Sequence, residues 1–213
     1  MRLNHVCAGA ALLAITACGG GGGGTTNPNP NPTPTQTLST IRVSSSTLAL
    51  AAGAVGTLSV DALDASGRVI TGVTGYSYTS SAATVVEPQS SGELLGISAG
   101  TATITVSLTR DGVTAKATAT VTVTGSLPVA ASVAAGASDQ TYTPATIVVA
   151  RNANVTYTFG GLNHTVTFRS VAGAPASVPA TTNSSVARAF PVVGDFRYDC
   201  TIHSGMSGIV IVR

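Results

Sequence analysis

The run Thr101-Ala-Thr-Ile-Thr-Val-Ser-Leu108 alternates polar and apolar side chains without a break. Successive side chains of a β-strand point to opposite faces, so the run predicts a strand that buries its four apolar residues on one side. Asp111-Gly112 follows, and the stretch from Lys116 to Val123 repeats the alternation. An Asp-Gly pair between two alternating stretches is typical of a β-hairpin.

The composition extends this prediction to the whole chain. Of the 213 residues only 8% are charged and 44% are hydrophobic, which excludes a disordered acidic tail. The net charge of +2 gives little attraction for a phosphate backbone, so no nucleic acid partner is expected. After the first twenty residues no apolar run is long enough to span a membrane. Repeated alternating segments with turn residues between them indicate an all-β protein.

The first seventeen residues have the basic start and short apolar stretch of a secretory signal. Ile15-Thr-Ala-Cys18 resembles the lipobox of bacterial lipoproteins. The resemblance implies that residues 1–17 are removed and that Cys18 is lipidated. Lipoprotein families use an aspartate after the cysteine for inner-membrane retention, whereas this chain has Gly19 there. The resemblance therefore favours an outer-membrane anchor in the bacterial cell envelope, on the periplasmic or the outer face. The alternative is an ordinary signal that leaves Cys18 as a free thiol.

Residues 18–37 have the composition of a tether. An uninterrupted glycine run comes first, and prolines then alternate with Asn or Thr. Glycine accepts most backbone conformations, and proline-rich segments are extended. We expect this segment to hold the folded part of the chain away from the lipid.

Residues 38–124 are predicted to form the first folded domain. Their Asp64-Ala-Ser-Gly67 turn, Tyr78-Thr-Ser-Ser81 and closing run Ala119 to Val123 resemble the group 2 bacterial immunoglobulin-like domain, although Tyr78 stands where a Trp is usual. The resemblance implies a β-sandwich used for spacing, adhesion or presentation, without catalysis. The range contains no His or Cys, and its acidic residues are interpreted as solvated surface: Asp61, Asp64, Glu87, Glu93 and Asp111.

Residues 127–213 are predicted to form a second domain, since Gly125 to Pro128 interrupts the strand pattern. Seven of the nine aromatic residues lie there. Parity puts three sets of side chains on buried faces: Val155, Tyr157 and Phe159; His164, Val166 and Phe168; Phe196, Tyr198 and Cys200. His164 and Cys200 are therefore expected to point inward.

Metal-binding side chains concentrate in Cys200-Thr-Ile-His203-Ser-Gly-Met206. If the strand that begins at His164 is a neighbour, two imidazoles and a thiolate surround one point with the thioether of Met206 on its axis. A His₂Cys set with a weak axial Met selects copper. Zinc also accepts Cys and two His, although a thioether is a poor ligand for it. A single cysteine, or a single inward-facing histidine, is more often an ordinary core residue than a metal ligand.

The pattern Phe190-Pro191, Gly194 to Cys200, His203, Met206 and Gly208 resembles the cupredoxin family, of the plastocyanin and amicyanin type, over about residues 128 to 213. The resemblance implies a Greek-key β-sandwich or barrel with one type 1 copper ion. It carries over four ligands: His164, Cys200, His203 and Met206. Thr165 departs from the family pattern, in which Asn often follows the first histidine.

These features predict a membrane-tethered, one-electron carrier rather than an enzyme. The chain has three histidines, and His5 lies in the predicted signal, which leaves none for a second copper centre. The resemblance implies that redox partner proteins dock near His203 and that no small-molecule substrate is needed. The expected docking rim is small and uncharged: Gly160, Gly161, Leu162, Ile202 and Gly205. Three alternatives stay open, namely a copper chaperone or scavenger, an adhesion module with a vestigial copper domain, and an enzyme with an open copper position.

Overall fold

The computed structural model describes residues 36–136 and 138–213, and the regular secondary structure of these residues consists of β-strands. None of these residues forms a helix that is long and apolar enough to cross a membrane. The all-β prediction is confirmed for this part of the chain. The predicted signal peptide, Cys18 and nearly all of the predicted tether lie outside the described residues.

The first half of the described chain contains nine strands. They are β1 (Thr40–Val43), β2 (Thr47–Ala51), β3 (Val55–Thr57), β4 (Val60–Leu63), β5 (Ser77–Ser80), β6 (Val86–Pro88), β7 (Glu93–Gly96), β8 (Gly100–Arg110) and β9 (Val113–Thr124). The four-stranded sheet β2-β9-β8-β5 packs against the sheets β3-β7-β6 and β1-β4. This arrangement is the predicted N-terminal β-sandwich.

Strands β8 and β9 form the predicted hairpin. Arg110 pairs with Val113 across the turn, and both turn residues have positive φ, 54° at Asp111 and 77° at Gly112. The apolar residues of the opening run are at most 3% exposed, as the alternation predicts: Ala102, Ile104, Val106 and Leu108. The long hairpin therefore supplies one wall of both apolar clusters of this sandwich.

The second half also contains nine strands. They are β10 (Ala130–Ala135), β11 (Tyr142–Thr143), β12 (Thr146–Val149), β13 (Ala153–Phe159), β14 (His164–Phe168), β15 (Val178–Thr181), β16 (Ser184–Phe190), β17 (Gly194–Asp199) and β18 (Ser207–Val212). Two sheets, β11-β10-β13-β16 and β12-β18-β17-β14-β15, enclose one apolar core. All nine residues that parity placed inward are buried, including His164 and Cys200.

The two sandwiches pack against each other through the outward face of β18 and β12. Buried apolar residues from both halves form one cluster: Leu95, Val148, Ile209 and Ile211, with Val55, Ile97 and Leu127 at its edge. Beside it, the Arg213 guanidinium donates to both carboxylate oxygens of Glu87 at 2.6 Å. The interpretation of Glu87 as solvated surface is therefore wrong, because the second sandwich supplies its ion-pair partner. Hydrogen bonding to Arg213 lowers the pKa of Glu87.

Truncating Leu95 tests this packing. Leu95 is fully buried, in a cluster whose other buried members all belong to the second sandwich. Leu95→Ala is expected to lower the free energy of unfolding by about 2 to 5 kcal/mol, as other buried Leu truncations do. Val69→Ala, at a position that is 44% exposed, is the control and is expected to change it by less than about 0.5 kcal/mol. Equal losses in urea unfolding for the two variants would contradict the packing.

Candidate metal centre

The centre lies at one end of the second sandwich, where β17 runs between β14 and β18. Phe168 pairs with Tyr198 and Thr167 with Asp199, so the antiparallel strands bring the start of β14 beside the end of β17. His164 is the first residue of β14, and Cys200 directly follows β17. The pairing explains how two residues 36 positions apart in sequence come together.

Three donor atoms of this region form a compact triangle. The Nδ1 atoms of His164 and His203 lie 3.1 Å apart. The Sγ atom of Cys200 lies 3.9 Å from Nδ1 of His164 and 3.6 Å from Nδ1 of His203. His164 and Cys200 are buried, and His203 is partly exposed.

The size of the triangle fits a single metal ion. Its three sides fix a central point about 2.1 Å from every donor atom, within the roughly 2.0 to 2.3 Å of metal–nitrogen and metal–sulfur bonds. No carboxylate belongs to the group, so the donors are borderline and soft. Two imidazoles and one thiolate suit copper or zinc, and do not suit the hard cations that prefer oxygen.

The other ring nitrogen of His164 is held by the backbone. Nε2 lies 2.9 Å from the carbonyl oxygen of Gly136, which can only accept a hydrogen bond. The proton of the neutral ring therefore belongs on Nε2, which leaves the lone pair of Nδ1 directed at Cys200 and His203. A second hydrogen bond of this kind orients a metal-binding histidine and fixes its tautomer.

The Cys200 sulfur lies in surroundings that favour the thiolate. Burial alone raises the pKa of a thiol, because the charged form is poorly solvated. The backbone N–H groups of Thr165, Ile202 and His203 act in the opposite direction and lower the pKa of Cys200 to about 6. The N–H of Thr165 lies 3.5 Å from the sulfur. The ionised form that binds metal is thus prepared by the fold itself.

The turn that carries His203 is closed by Met206. The N–H of Cys200 donates to the carbonyl of Met206 at 2.9 Å, and Gly205 has a φ of +82°, which favours glycine. Met206 is 3% exposed and belongs to the same apolar core as Cys200. Its backbone therefore fixes the length of the loop, while the role of its sulfur as an axial ligand stays a prediction.

Thr165, the departure from the family pattern, ties the two halves of the centre together. Its hydroxyl oxygen accepts a hydrogen bond from the N–H of Thr201 at 2.9 Å and lies 3.1 Å from the Thr201 hydroxyl. The Tyr142 hydroxyl donates to its carbonyl. A bulge in the pairing of β14 with β15 lies opposite this residue. Thr165 is 7% exposed, so these bonds replace the water that its polar groups have lost.

Sequence reasoning identified the triangle of side chains but missed the groups that orient it. Gly136 and Tyr142 lie in other strands or loops, and no sequence pattern around them indicates a role at the metal centre. Thr201 was visible within the ligand loop, yet its bond to Thr165 depends on how β14 and β17 pair. Cys18, the predicted lipidation site, lies outside the described residues.

No family model and no curated protein matches the chain. Among solved structures it is similar to a mutant plastocyanin of a fern, at 24% identity over 38% of this chain and 99% of that one, with a TM-score of 0.35. It is also similar to a mutant of amicyanin in its oxidized state, at 26% identity over 39% and 82% of the two chains, TM-score 0.35. A Cu-containing nitrite reductase from Thermus scotoductus matches at 20% identity over 43% of this chain and 24% of its own, TM-score 0.35. With every TM-score below 0.5, these likenesses assign no function by themselves.

The thiol of Cys200 gives a test that needs no metal. In metal-free protein we expect its thiolate absorbance to appear with a midpoint near pH 6, well below the roughly 8.5 of an exposed thiol. The ultraviolet difference between the protein and Cys200→Ser, followed against pH, removes the contributions of other thiols and of tyrosines. A midpoint of about 8.5 or higher would contradict the proposed surroundings of the sulfur.

The same shift predicts a pH dependence of stability. The pKa of the thiol is about 6 in the folded state and roughly 8.5 in the unfolded state. Between these two values the folded state binds fewer protons at this thiol than the unfolded state does. The metal-free protein should therefore gain stability as pH rises through this interval, and lose it as pH falls through about 6. Cys200→Ser should lack this part of the pH dependence.

Proposed function

We propose that this protein is a type 1 copper protein that carries one electron at a time in a bacterial cell envelope. The observation that carries the proposal is the triangle formed by Nδ1 of His164, Nδ1 of His203 and Sγ of Cys200, with Met206 closing the loop beside it. A His₂Cys set with a nearby thioether is the donor combination that selects copper among the metals that bind nitrogen and sulfur.

A bound copper ion would supply the exchange between Cu(II) and Cu(I). The residues of the chain hold the donors in one arrangement for both states. His164 is fixed through Gly136, and Cys200 through the N–H of Thr165 and the carbonyl of Met206. Both donors are attached to paired strands, so they have little freedom to move when the charge of the site changes. A rigid site of this kind favours fast electron exchange, because few atoms must rearrange.

The proposed route for the electron is the exposed edge of His203. His164, Cys200 and Met206 are buried, whereas His203 is partly exposed. Near it in sequence, Ile202 is 47% exposed, and Leu162 in the loop before His164 is 37% exposed. Small glycines complete this uncharged rim, and we propose that redox partner proteins dock there through weak, transient contacts. Restricted access to the donors supports a carrier rather than an enzyme that binds substrate at the metal.

The membrane association proposed for this carrier is supported by sequence features alone. The lipobox-like residues before Cys18 support a lipid anchor, and the glycine- and proline-rich segment supports a flexible connection to the folded part. We therefore place the protein at the outer membrane, with the first sandwich as a spacer.

Visible absorption after addition of Cu(II) tests the proposal. The protein is expected to develop an intense blue band from charge transfer between thiolate and copper, which bleaches with ascorbate and returns with ferricyanide. His203→Ala should abolish the band, because one of the three donors is lost. Arg197→Ala should leave it intact, since Arg197 lies on the outer face of β17 and touches no donor.

Other results would redirect the assignment. An unchanged blue band in His203→Ala would contradict the ligand set. A colourless protein that retains metal stoichiometrically would favour a zinc site or Cu(I) storage. A protein that retains no metal would favour the adhesion class and would overturn the proposal.

Met206 separates copper from zinc. Met206→Leu conserves most of the side-chain volume in the core and removes only the thioether. If the sulfur faces copper, the affinity for Cu(I) is expected to fall about tenfold, the lower end of what changes around a metal site cost, while the affinity for Zn(II) changes little. Competition with a chelator measures both affinities. Equal effects on the two metals would assign Met206 to core packing alone.

A further inference from the structure

Two arginines lie side by side on the outer face of the five-stranded sheet. The N–H of Arg169 donates to the carbonyl of Arg197 at 3.0 Å, which continues the register in which Phe168 pairs with Tyr198. Phe168 and Tyr198 point into the core, so the next residues point to the opposite face. Arg169 and Arg197 are both exposed there. Like charges directly opposite each other on a sheet are unfavourable.

The charge of this pair is only half compensated. Asp199 accepts two hydrogen bonds from Arg169, at 3.0 and 3.3 Å. Asp195, the other acidic residue of β17, pairs with Arg213 at 2.8 Å. Within the described ranges 36–136 and 138–213, Arg197 has no carboxylate within ion-pair distance. Its charge therefore faces the solvent without a partner from the sheet.

The two arginines line a recess of about 150 Å³ together with Thr146 and Ser207. We call these four residues the arginine recess. All four side chains are hydrogen-bond donors, and no acidic residue is among the described residues that line it. A guanidinium offers paired N–H groups in a geometry that matches a carboxylate. The recess is thus built to accept an anionic oxygen group.

The arginine recess lies close to the proposed copper centre. Ser207 directly follows Met206, and Arg197 precedes Cys200 by three residues, about 10 Å along an extended strand. Residues 127–213 contain five arginines, no lysine, three aspartates and no glutamate, so five positive minus three negative charges leave +2. Residues 38–124 contain four basic and five acidic residues and carry −1. The net positive charge of the folded part therefore lies in the sandwich that carries the centre.

We propose that the arginine recess is a docking point for a surface carboxylate of an acidic redox partner protein. This inference rests on the proposed function and adds a charged contact beside the uncharged rim around His203. Electrostatic contacts of this kind raise the rate of encounter and fix orientation. The arginine contact would hold the partner beside the loop that carries His203.

Hexaglutamate is the probe for this contact. It is titrated into the metal-free, isotope-labelled full chain at low ionic strength, and amide shifts are followed by NMR. Shifts are expected at Arg169, Arg197 and Ser207, and added sodium chloride should weaken the binding by screening. Arg197→Gln is expected to weaken it about two- to fivefold, the size of an exposed ion pair.

Arg151→Gln is the matched control. It removes the same charge from an exposed residue whose backbone N–H bonds to Arg213, at the other end of β18 from Ser207. This variant should bind hexaglutamate as the unmodified protein does. Equal weakening by both variants, or shifts spread evenly over the surface, would overturn the docking point in favour of a general charge effect. Shifts at the recess with inorganic phosphate but not with hexaglutamate would overturn it in favour of a small-anion site.

The titration tests the docking point, and the copper spectrum tests the proposed function separately. Because the titration uses metal-free protein, it does not depend on a blue band. A blue protein that does not bind hexaglutamate at the recess overturns this inference alone. A colourless protein that binds it there overturns the proposed function, and with it the redox character of the partner.

Discussion

The antiparallel pairing of β17 with β14 is the constraint on which the centre depends. It sets the end of one strand beside the start of the other, and so brings the sulfur of Cys200 within 3.9 Å of Nδ1 of His164. The pairing of β17 with β18 does the same for the other side of the loop, since Asp199 pairs with Ser207 and holds the residues between them in a short turn. This turn places Nδ1 of His203 at the third corner of the triangle. A shift of one residue in either register would reverse the facing of the side chains and separate the donors.

Backbone groups around the triangle decide its chemistry more than charged side chains do. The carbonyl of Gly136 selects the tautomer of His164, and N–H groups of three residues stabilise the thiolate of Cys200 despite its burial. Backbone dipoles in paired strands are already oriented before a metal arrives, so little reorganisation accompanies binding. Thr165 contributes from both sides, through its N–H to the sulfur and through its hydroxyl to the N–H of Thr201. The centre is therefore prepared by the fold rather than assembled by the ion.

The sequence was informative wherever a local period determines the answer. Strict alternation predicted the hairpin of β8 and β9, and parity predicted that His164, Tyr198 and Cys200 are buried. Contacts between distant segments leave no such period. Glu87 has the sequence surroundings of an exposed acid, and only the packing of the second sandwich brings Arg213 against it. No sequence feature marks Gly136, and its position depends on the pairing of β10 with β13. Thr165 was visible as a departure from a family pattern, but its bond to Thr201 is a tertiary contact.

The packing of the two sandwiches also determines which surfaces of the second one stay open. Alternation along β18 sends Val210 and Val212 into the core, while Ile209 and Ile211 meet Leu95 of the first sandwich. The first sandwich thereby covers the outward face of β18 and β12 toward the end that carries Arg213. The partly exposed His203 and the exposed Arg197 do not belong to this apolar contact. The contact between the sandwiches therefore leaves out both the proposed docking rim and the charge of Arg197, so the spacer role proposed for the first sandwich does not obstruct the proposed approach of a redox partner.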